Sequence, residues 1–216
     1  MSETGGVTPL QRRLLWGLLT AVMLAIVVTW MMAPRWQGST AAEPPPTLGQ
    51  APRFELLNRD GRIMSNDDLL GHPWVADFIF TRCALSCPRM TSRMIELGRL
   101  LPPGSQVARV SFSVDPTYDT PEVLQQYAES WRIEDPQWLF LTGARESLYS
   151  LVSEGFHLAL DTDPPPEAAS PQEPILHSTR FVLVDAEGAI RGYYDVVQGE
   201  ELARLSEDLQ ALRNSR

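Results

Sequence analysis

"FIFTRCALSCPRM" (residues 78–90) holds both cysteines of a 216-residue chain, Cys83 and Cys87, with three residues between them and Pro88 directly after. The residues leading into it, "WVADFIF" (74–80), form a short, largely apolar run of the kind a buried strand uses. Beyond it Met90, Met94, Ile95, Leu97 and Leu101 recur at helical spacing until "PPG" (102–104) stops the pattern. A strand, a cysteine turn and a helix thus follow in direct succession. Pro88 suits the first helical position, where its missing N–H costs nothing, which makes Cys87 the expected N-cap. There the unpaired amides and the positive end of the helix dipole favour a thiolate, and Arg82, Arg89 and Arg93 add positive charge. Both thiols are therefore expected to ionise easily. As a staple the pair would be weak, since a bridge closing so short a loop removes only roughly 2 kcal/mol of unfolded-chain entropy.

Outward from this centre the chain alternates. "RFELLNRDGRIMS" (53–65) reads as a hairpin turning at "NRDG" (58–61), and "NDDLLG" (66–71) offers an N-cap and a short helix. After the cysteine helix come a strand "VARVSFSV" (107–114), a helix over 121–131, a strand "WLFLT" (138–142) and a helix over 144–155. "LALDTDPPPEAASPQEP" (158–174) is too polar and proline-rich to be regular and reads as a long exposed loop. A hairpin, "TRFVLVDAEGAIRGYYD" (179–195), and an amphipathic helix over 200–213 close the chain. Strands alternating with helices predict an α/β fold, a sheet with helices on both faces. Asp115 and Asp119 are sufficiently explained by turn formation and capping ahead of the helix at Pro121.

Composition removes several functions. With 44 % hydrophobic and 21 % charged residues the chain can build one globular domain plus something extra. A formal charge of −9 leaves no cationic footprint for nucleic acid. All 18 basic residues are arginine, so neither a Walker-type phosphate-binding lysine nor Schiff-base chemistry is available.

The extra segment is N-terminal. "LLWGLLTAVMLAIVVTWMM" (14–32) is 19 residues without a charge, about 28 Å as a helix, close to the thickness of a bilayer's hydrocarbon core. Arg12 and Arg13 precede it, so the positive-inside rule keeps the first dozen residues in the cytoplasm and exports the rest, with Trp30 and Trp36 near the outer interface. A cleaved signal peptide, processed near "STAA" (39–42), is the competing reading, but the apolar run exceeds the usual length of such signals. The expected plan is a cytoplasmic tail (1–13), a transmembrane anchor (14–32), a Pro/Ala/Gly-rich linker (33–52) and a folded domain (53–216). The expected setting is a bacterial inner membrane, spanned once, with the domain in the disulfide-permissive periplasm.

The strand, cysteine turn and helix resemble a thioredoxin-like fold, and more specifically the Sco/SenC family of membrane-anchored copper-handling proteins. Three ordered segments carry the resemblance: "FTRCALSCP" (80–88), "FSVDPTYDTPEVLQQYA" (112–128) and "LHSTRFVLVDAEGAIRGYYD" (176–195). In that family two cysteines and a histidine bind a copper ion, which carries over to Cys83, Cys87 and His177. Two thiolates and one imidazole are a soft, three-coordinate set suited to copper, and a site without a fourth protein ligand can hand its metal on. In thioredoxin-like proteins the residues just before the last hairpin lie against the cysteines. "HST" (177–179) occupies that place, and the proline-rich loop before it would let His177 swing onto a metal held by the thiols. His72 and His157 read as surface residues, and Met90 and Met94, four apart on one helix face, as core.

The chain departs from the family in two places. Ala84, Leu85 and Ser86 stand between the cysteines where many relatives have Pro-Asp-Val, which removes an acidic neighbour of the metal. Asp77 lies six residues before Cys83 in an otherwise apolar strand, the offset at which thioredoxins carry a buried aspartate that relays a proton to the resolving cysteine. Burial would raise its pKa and make it a proton acceptor near neutrality; the plain alternative is an aspartate hydrogen-bonded at the sheet edge. Two functions from different classes therefore remain. One is a metallochaperone that binds copper through Cys83, Cys87 and His177 and supplies the copper-bearing subunit of cytochrome c oxidase, with other copper chaperones or thiol–disulfide reductants as further partners. The other is a thiol–disulfide oxidoreductase using Cys83, Cys87 and Asp77.

Overall fold

The computed structural model describes residues 8–32, 43–161, 175–197 and 201–214, which fall into an N-terminal unit and a folded unit beginning at Ala42. The described part of the N-terminal unit holds one helix, α1 (Pro9–Met32), of which residues 9–29 are long and apolar enough to cross a membrane. Its two threonines turn inward on the backbone: Thr20 Oγ1 donates to the carbonyls of Trp16 and Gly17, and Thr29 Oγ1 to those of Ala25 and Ile26. That internal satisfaction suits a helix in hydrocarbon. The tail before residue 8, Trp36 and the rest of 33–42, and the proline-rich stretch 162–174 lie outside the described residues.

The folded unit runs β1 (Gly49–Gln50), β2 (Glu55–Asn58), β3 (Ile63–Ser65), a 3₁₀ turn (Asn66–Leu69), β4 (Trp74–Ile79), α2 (Ser86–Leu100), β5 (Ala108–Ser113) and α3 (Pro121–Ser130). It continues with β6 (Trp138–Thr142), α4 (Arg145–Ser150) passing into a π-helical turn (Leu151–Gly155), β7 (Leu160–Asp161), β8 (Leu176–His177), β9 (Arg180–Val184), β10 (Ala189–Asp195) and α5 (Glu201–Asn214). Eight strands form one mixed sheet in the order β1-β10-β9-β4-β5-β6-β2-β3. β4, β5 and β6 are parallel to one another, and β9 lies antiparallel on the other side of β4. All six residues of β4 are buried, as a central strand covered on both faces requires.

Alternation along β4 and β5 divides the core. Phe78 and Phe112, opposite each other in register, face the π turn and meet Phe156 at 5.3 and 5.9 Å, while Phe54 closes edge-on against Phe112 at 5.4 Å. Asp77, Arg109 and Ser111 alternate with these phenylalanines and so face the opposite side, where α2 packs. α2 is pinned there by polar bonds. Arg109 donates from Nη1 to the Met94 carbonyl at 3.1 Å, Thr91 Oγ1 and the Tyr127 hydroxyl of α3 are 2.6 Å apart, and Arg93 Nε donates to the Val196 carbonyl at 3.1 Å.

Several elements differ from the sequence reading. β1 lies in the stretch read as linker; Leu48 and Ala51 donate their amides to Ile190 and Gly188 across the sheet edge, which a composition-based reading cannot register. Leu160 and Asp161, read as exposed loop, pair with His177 and Leu176 in a small second sheet. α2 starts at Ser86, so Cys87 and Pro88 both lie in its first turn and Leu85 is the N-cap. The short-period signals for β2, β3, β4, β5, β6 and the closing hairpin match the observed strands.

Phe112 is fully buried among Phe54, Phe78 and Phe156. Phe112→Ala is expected to destabilise the folded unit by about 3–5 kcal/mol in urea unfolding; a loss below about 1 kcal/mol would show that this cluster does not anchor the core.

Candidate metal centre

β4 ends at Ile79, and Phe80 to Leu85 carry the chain over its carboxyl end into α2. The Cys83 amide donates to the Phe80 carbonyl at 3.2 Å and closes a turn. Leu85 contributes no side-chain cap to α2. The Cys83 sulfur fills that role instead, accepting the Cys87 amide at 3.4 Å, with the Ser86 hydroxyl 3.6 Å away. The Phe80 amide in turn points at the Cys87 sulfur, at 3.5 Å. The two sulfurs are thus held by backbone donors of their own loop. Both cysteines are buried, Cys87 the more deeply.

His177 arrives from β8. Its backbone pairs with Leu160, its Nδ1 lies 3.0 Å from the Ser178 carbonyl, and its ring meets Phe80 edge-on at 5.6 Å. A carbonyl can only accept, so Nδ1 donates to it, and Nε2 is the ring nitrogen turned toward the thiols. Nε2 is 3.4 Å from the Cys87 sulfur. The donor atoms of Cys83, Cys87 and His177 all lie within 4.8 Å of one another, at the spacing one soft ion would draw together. No swing of His177 is needed: it already stands beside the thiols, half-buried and tied at both the backbone and the ring.

The two thiols are not equivalent, which corrects the expectation that both ionise readily. The Cys87 thiol, the His177 ring, the Cys87 amide and the Ser86 hydroxyl all favour a thiolate at Cys83, outweighing its burial, so its pKa falls well below the usual thiol range. Burial, and then the neighbouring Cys83 sulfur, push Cys87 up. One thiolate and one thiol share the site in the metal-free protein. Two of the three arginines invoked from sequence are occupied elsewhere, Arg82 with Asp115 and Arg93 with Glu96 and the Val196 carbonyl.

Asp77 is fully buried in the central strand and not at an edge. Neither of its oxygens meets a donor at hydrogen-bond geometry among the described residues. Burial raises its pKa to about 7, against the downward pull of the Ser111 hydroxyl, His177 and Arg109. Ser111 stands directly opposite on β5 and its oxygen already accepts the Trp138 indole N–H at 2.9 Å, so its own proton is free to turn toward the carboxylate. Arg109 is spoken for by Met94 and by its ion pair with Asp135. His72 and His157 are exposed, and Met90 and Met94 are fully buried core residues. Asp115 and Asp119 do not cap α3; Thr120 does, accepting the Val123 amide at 3.4 Å, while both aspartates turn toward the cysteine loop. Nothing local in the sequence marks that orientation.

A parallel β4–β5–β6 core flanked by an antiparallel hairpin, with a dithiol at the end of its central strand, defines a thioredoxin-like protein with a dithiol–imidazole centre. The chain belongs to the SCO1/SenC family, whose family model matches residues 42–213. It is 31 % identical over 159 residues to the SCO1 protein homolog of Bacillus subtilis, covering 73 % of this chain and 80 % of that protein. Among solved structures it resembles BsSco, described as a member of the Sco family of cytochrome c oxidase assembly proteins with a disulfide switch. That match has a TM-score of 0.68 and 29 % identity, covering 81 % of this chain and 99 % of the other. It also resembles yeast Sco1 with copper bound, with a TM-score of 0.58 and 25 % identity over 75 % of this chain and 88 % of that one.

The Asp77 shift has a defined sign. Its carboxyl binds a proton more tightly in the folded state, so the folded state is favoured at low pH and loses that advantage as pH rises from about 4 through about 7. Asp77→Asn is expected to be more stable than the parent above pH 7 by about 4 kcal/mol, with the gap closing toward pH 4. Urea unfolding of both proteins across this range checks it; a pH-independent difference would mean that Asp77 does not titrate there.

Proposed function

We propose that this chain is a copper metallochaperone: it binds one copper ion through Cys83, Cys87 and His177 and assists assembly of the copper site of cytochrome c oxidase. The observation that carries this reading is His177 Nε2 facing the Cys87 sulfur at 3.4 Å, with Nδ1 tied back to Ser178. Dithiol exchange alone has no need of an oriented imidazole. Two sulfurs and one imidazole nitrogen are soft donors that favour copper over hard cations. Among the described residues no further histidine, cysteine or carboxylate joins the three, so an open coordination position is left for an acceptor's ligand. Copper is cargo here. His177 and the two cysteines grip it, Phe80 and the β7–β8 pair orient the ring, and the burial of Phe80, Cys83 and Cys87 limits access of water to the sulfurs. The yeast relative with copper bound and the description of BsSco support both the metal and the client.

In this reading α1 is a single-pass anchor in a bacterial inner membrane, with the folded unit on the periplasmic side and the copper-bearing oxidase subunit as its principal partner. Copper chaperones and thiol–disulfide reductants would load the site and keep it reduced.

A second reading rests on Asp77, a buried carboxyl with a pKa of about 7 that interacts with His177 and lies on the sheet face covered by the cysteine helix. A thiol–disulfide oxidoreductase would use the Cys83 thiolate to attack a client disulfide and release one client thiolate. Cys87 would give its proton to a base such as Asp77 and then attack Cys83 of the mixed disulfide. A Cys83–Cys87 disulfide and a client dithiol result, two electrons having passed to the client. The two chemistries share the thiols and can coexist.

His177→Ala separates them. Copper affinity is expected to fall by more than the roughly 10–100-fold that loss of an outer hydrogen-bond partner gives, with loss of the parent sulfur-to-copper absorption band, while reduction of a model disulfide continues. Unchanged affinity and spectrum would take His177 out of the site and leave dithiol exchange as the function.

A further inference from the structure

We propose that Asp119, seconded by Asp115, is the positioning residue of this centre: its carboxylate braces the Thr81–Arg82 step of the cysteine loop against the β5–α3 turn and so sets where the Cys83 sulfur stands. The proposal rests on the copper reading for its purpose but on hydrogen bonds for its mechanism.

Thr81 lies two residues before Cys83, inside the turn that the Cys83 amide closes on Phe80. Asp119 is fully buried, and three donors converge on it. The Thr81 amide approaches its two oxygens at 3.2 and 3.4 Å, the Thr81 hydroxyl reaches Oδ1 at 2.5 Å, and the Ser113 hydroxyl reaches Oδ2 at 2.7 Å. Ser113 is itself held, accepting the Asp115 amide at 3.0 Å. The Asp115 carboxylate, almost fully buried, takes the Arg82 Nε at 2.6 Å, and the same guanidinium stands 5.2 Å from the Tyr118 ring. Both residues immediately before Cys83 are therefore fastened to one turn, through backbone and side chain at Thr81 and through the side chain at Arg82.

Neither carboxylate is required by the helix that follows. Thr120 caps α3 and Pro121 occupies its first turn, which satisfies that terminus. Burying a carboxylate is costly unless it is bonded, and burial does push the Asp119 pKa upward against the Thr81 and Ser113 donors. A buried acid bonded mainly to a loop acts on that loop. The loop in question has no regular structure between Phe80 and Leu85, and it carries one donor of a three-donor set whose other members, Cys87 and His177, are fixed by α2 and by the β7–β8 pair. Without the brace, Cys83 would be held through its own loop, by the Phe80 carbonyl and the Cys87 amide, and not against β5, and a three-donor centre loses affinity when one donor is less closely placed than the others.

Full-length protein carrying Asp119→Asn keeps the side chain's shape but leaves one oxygen to serve donors that now use two. It is expected to remain folded by circular dichroism, to bind copper roughly 10–100-fold more weakly, and to shift the sulfur-to-copper absorption band. The Cys83–Cys87 reduction potential, measured against a dithiothreitol buffer without metal, is expected to move as well. Thr81→Val, which lacks the hydroxyl, should follow in the same direction by a smaller factor, and Thr81→Ser should restore parent values. Thr120→Ala, which uncaps α3, should lower the melting temperature and leave band and potential unchanged. The proposal is overturned if folded Asp119→Asn retains both spectrum and potential, or if Thr120→Ala shifts them equally. Should Asp119→Asn not fold, the Thr81 pair decides: a Val variant matching the Ser variant overturns the brace. Should the parent bind no copper, the copper reading fails while the potential still tests the brace.

Discussion

The contact between the Cys87 sulfur and the His177 ring joins residues 90 positions apart, and it exists because β4 and β9 are neighbours. Their antiparallel register, Trp74 with Val184 and Ala76 with Val182, brings the carboxyl end of β4 to the amino end of β9. The parallel pairing of β4 with β5 brings the β5–α3 turn to the same end. Three connections therefore meet at one end of these central strands: the cysteine loop after β4, the aspartate turn after β5, and the histidine segment before β9. Ligand sites of open α/β sheets lie beyond the carboxyl ends of their strands for the same reason, since there loops from adjacent strands converge.

What this meeting point does to the groups in it follows from burial. A thiol with backbone and side-chain donors aimed at it becomes the thiolate, as Cys83 does; a thiol enclosed beside that charge stays protonated, as Cys87 does. Asp77, whose burial outweighs the pull of the Ser111 hydroxyl, is pushed toward neutrality, whereas Asp119, equally enclosed, is surrounded by donors that partly offset its burial. Two buried aspartates on adjoining parts of one fold thus differ in kind: one exchanges protons near pH 7, the other holds a loop. Copper binding and the proposed disulfide exchange would draw on the same asymmetric dithiol, and the imidazole would distinguish them.

Much of this was legible in the residues. The cysteine pair with its flanking strand and helix is contiguous, so its local pattern survives without knowledge of the fold, and the ordered segments around Asp115 and His177 pointed to the family that the comparisons bear out. The helix start was misplaced because Pro88 is tolerated anywhere in a first turn, and the Cys83 sulfur, invisible as a cap from sequence, lets α2 begin at Ser86. The two-residue strands β1, β7 and β8 carry no periodicity of their own, because two residues complete only one alternation.

Local pattern along the chain is enough for the strand–dithiol–helix unit, the apolar N-terminal helix and the alternating α/β order, and the family resemblance points to Cys83, Cys87 and His177 as candidate donors. That one thiol is low and the other high, that His177 stands ready without a swing, that Asp77 lies at the centre of the sheet and that Asp119 bonds the loop and not the helix emerge from the folded arrangement alone. Each of these depends on which strands lie side by side and what they enclose. Composition and spacing carry propensities along the chain, but desolvation and hydrogen bonding between residues far apart in sequence appear only once the sheet order has set them face to face.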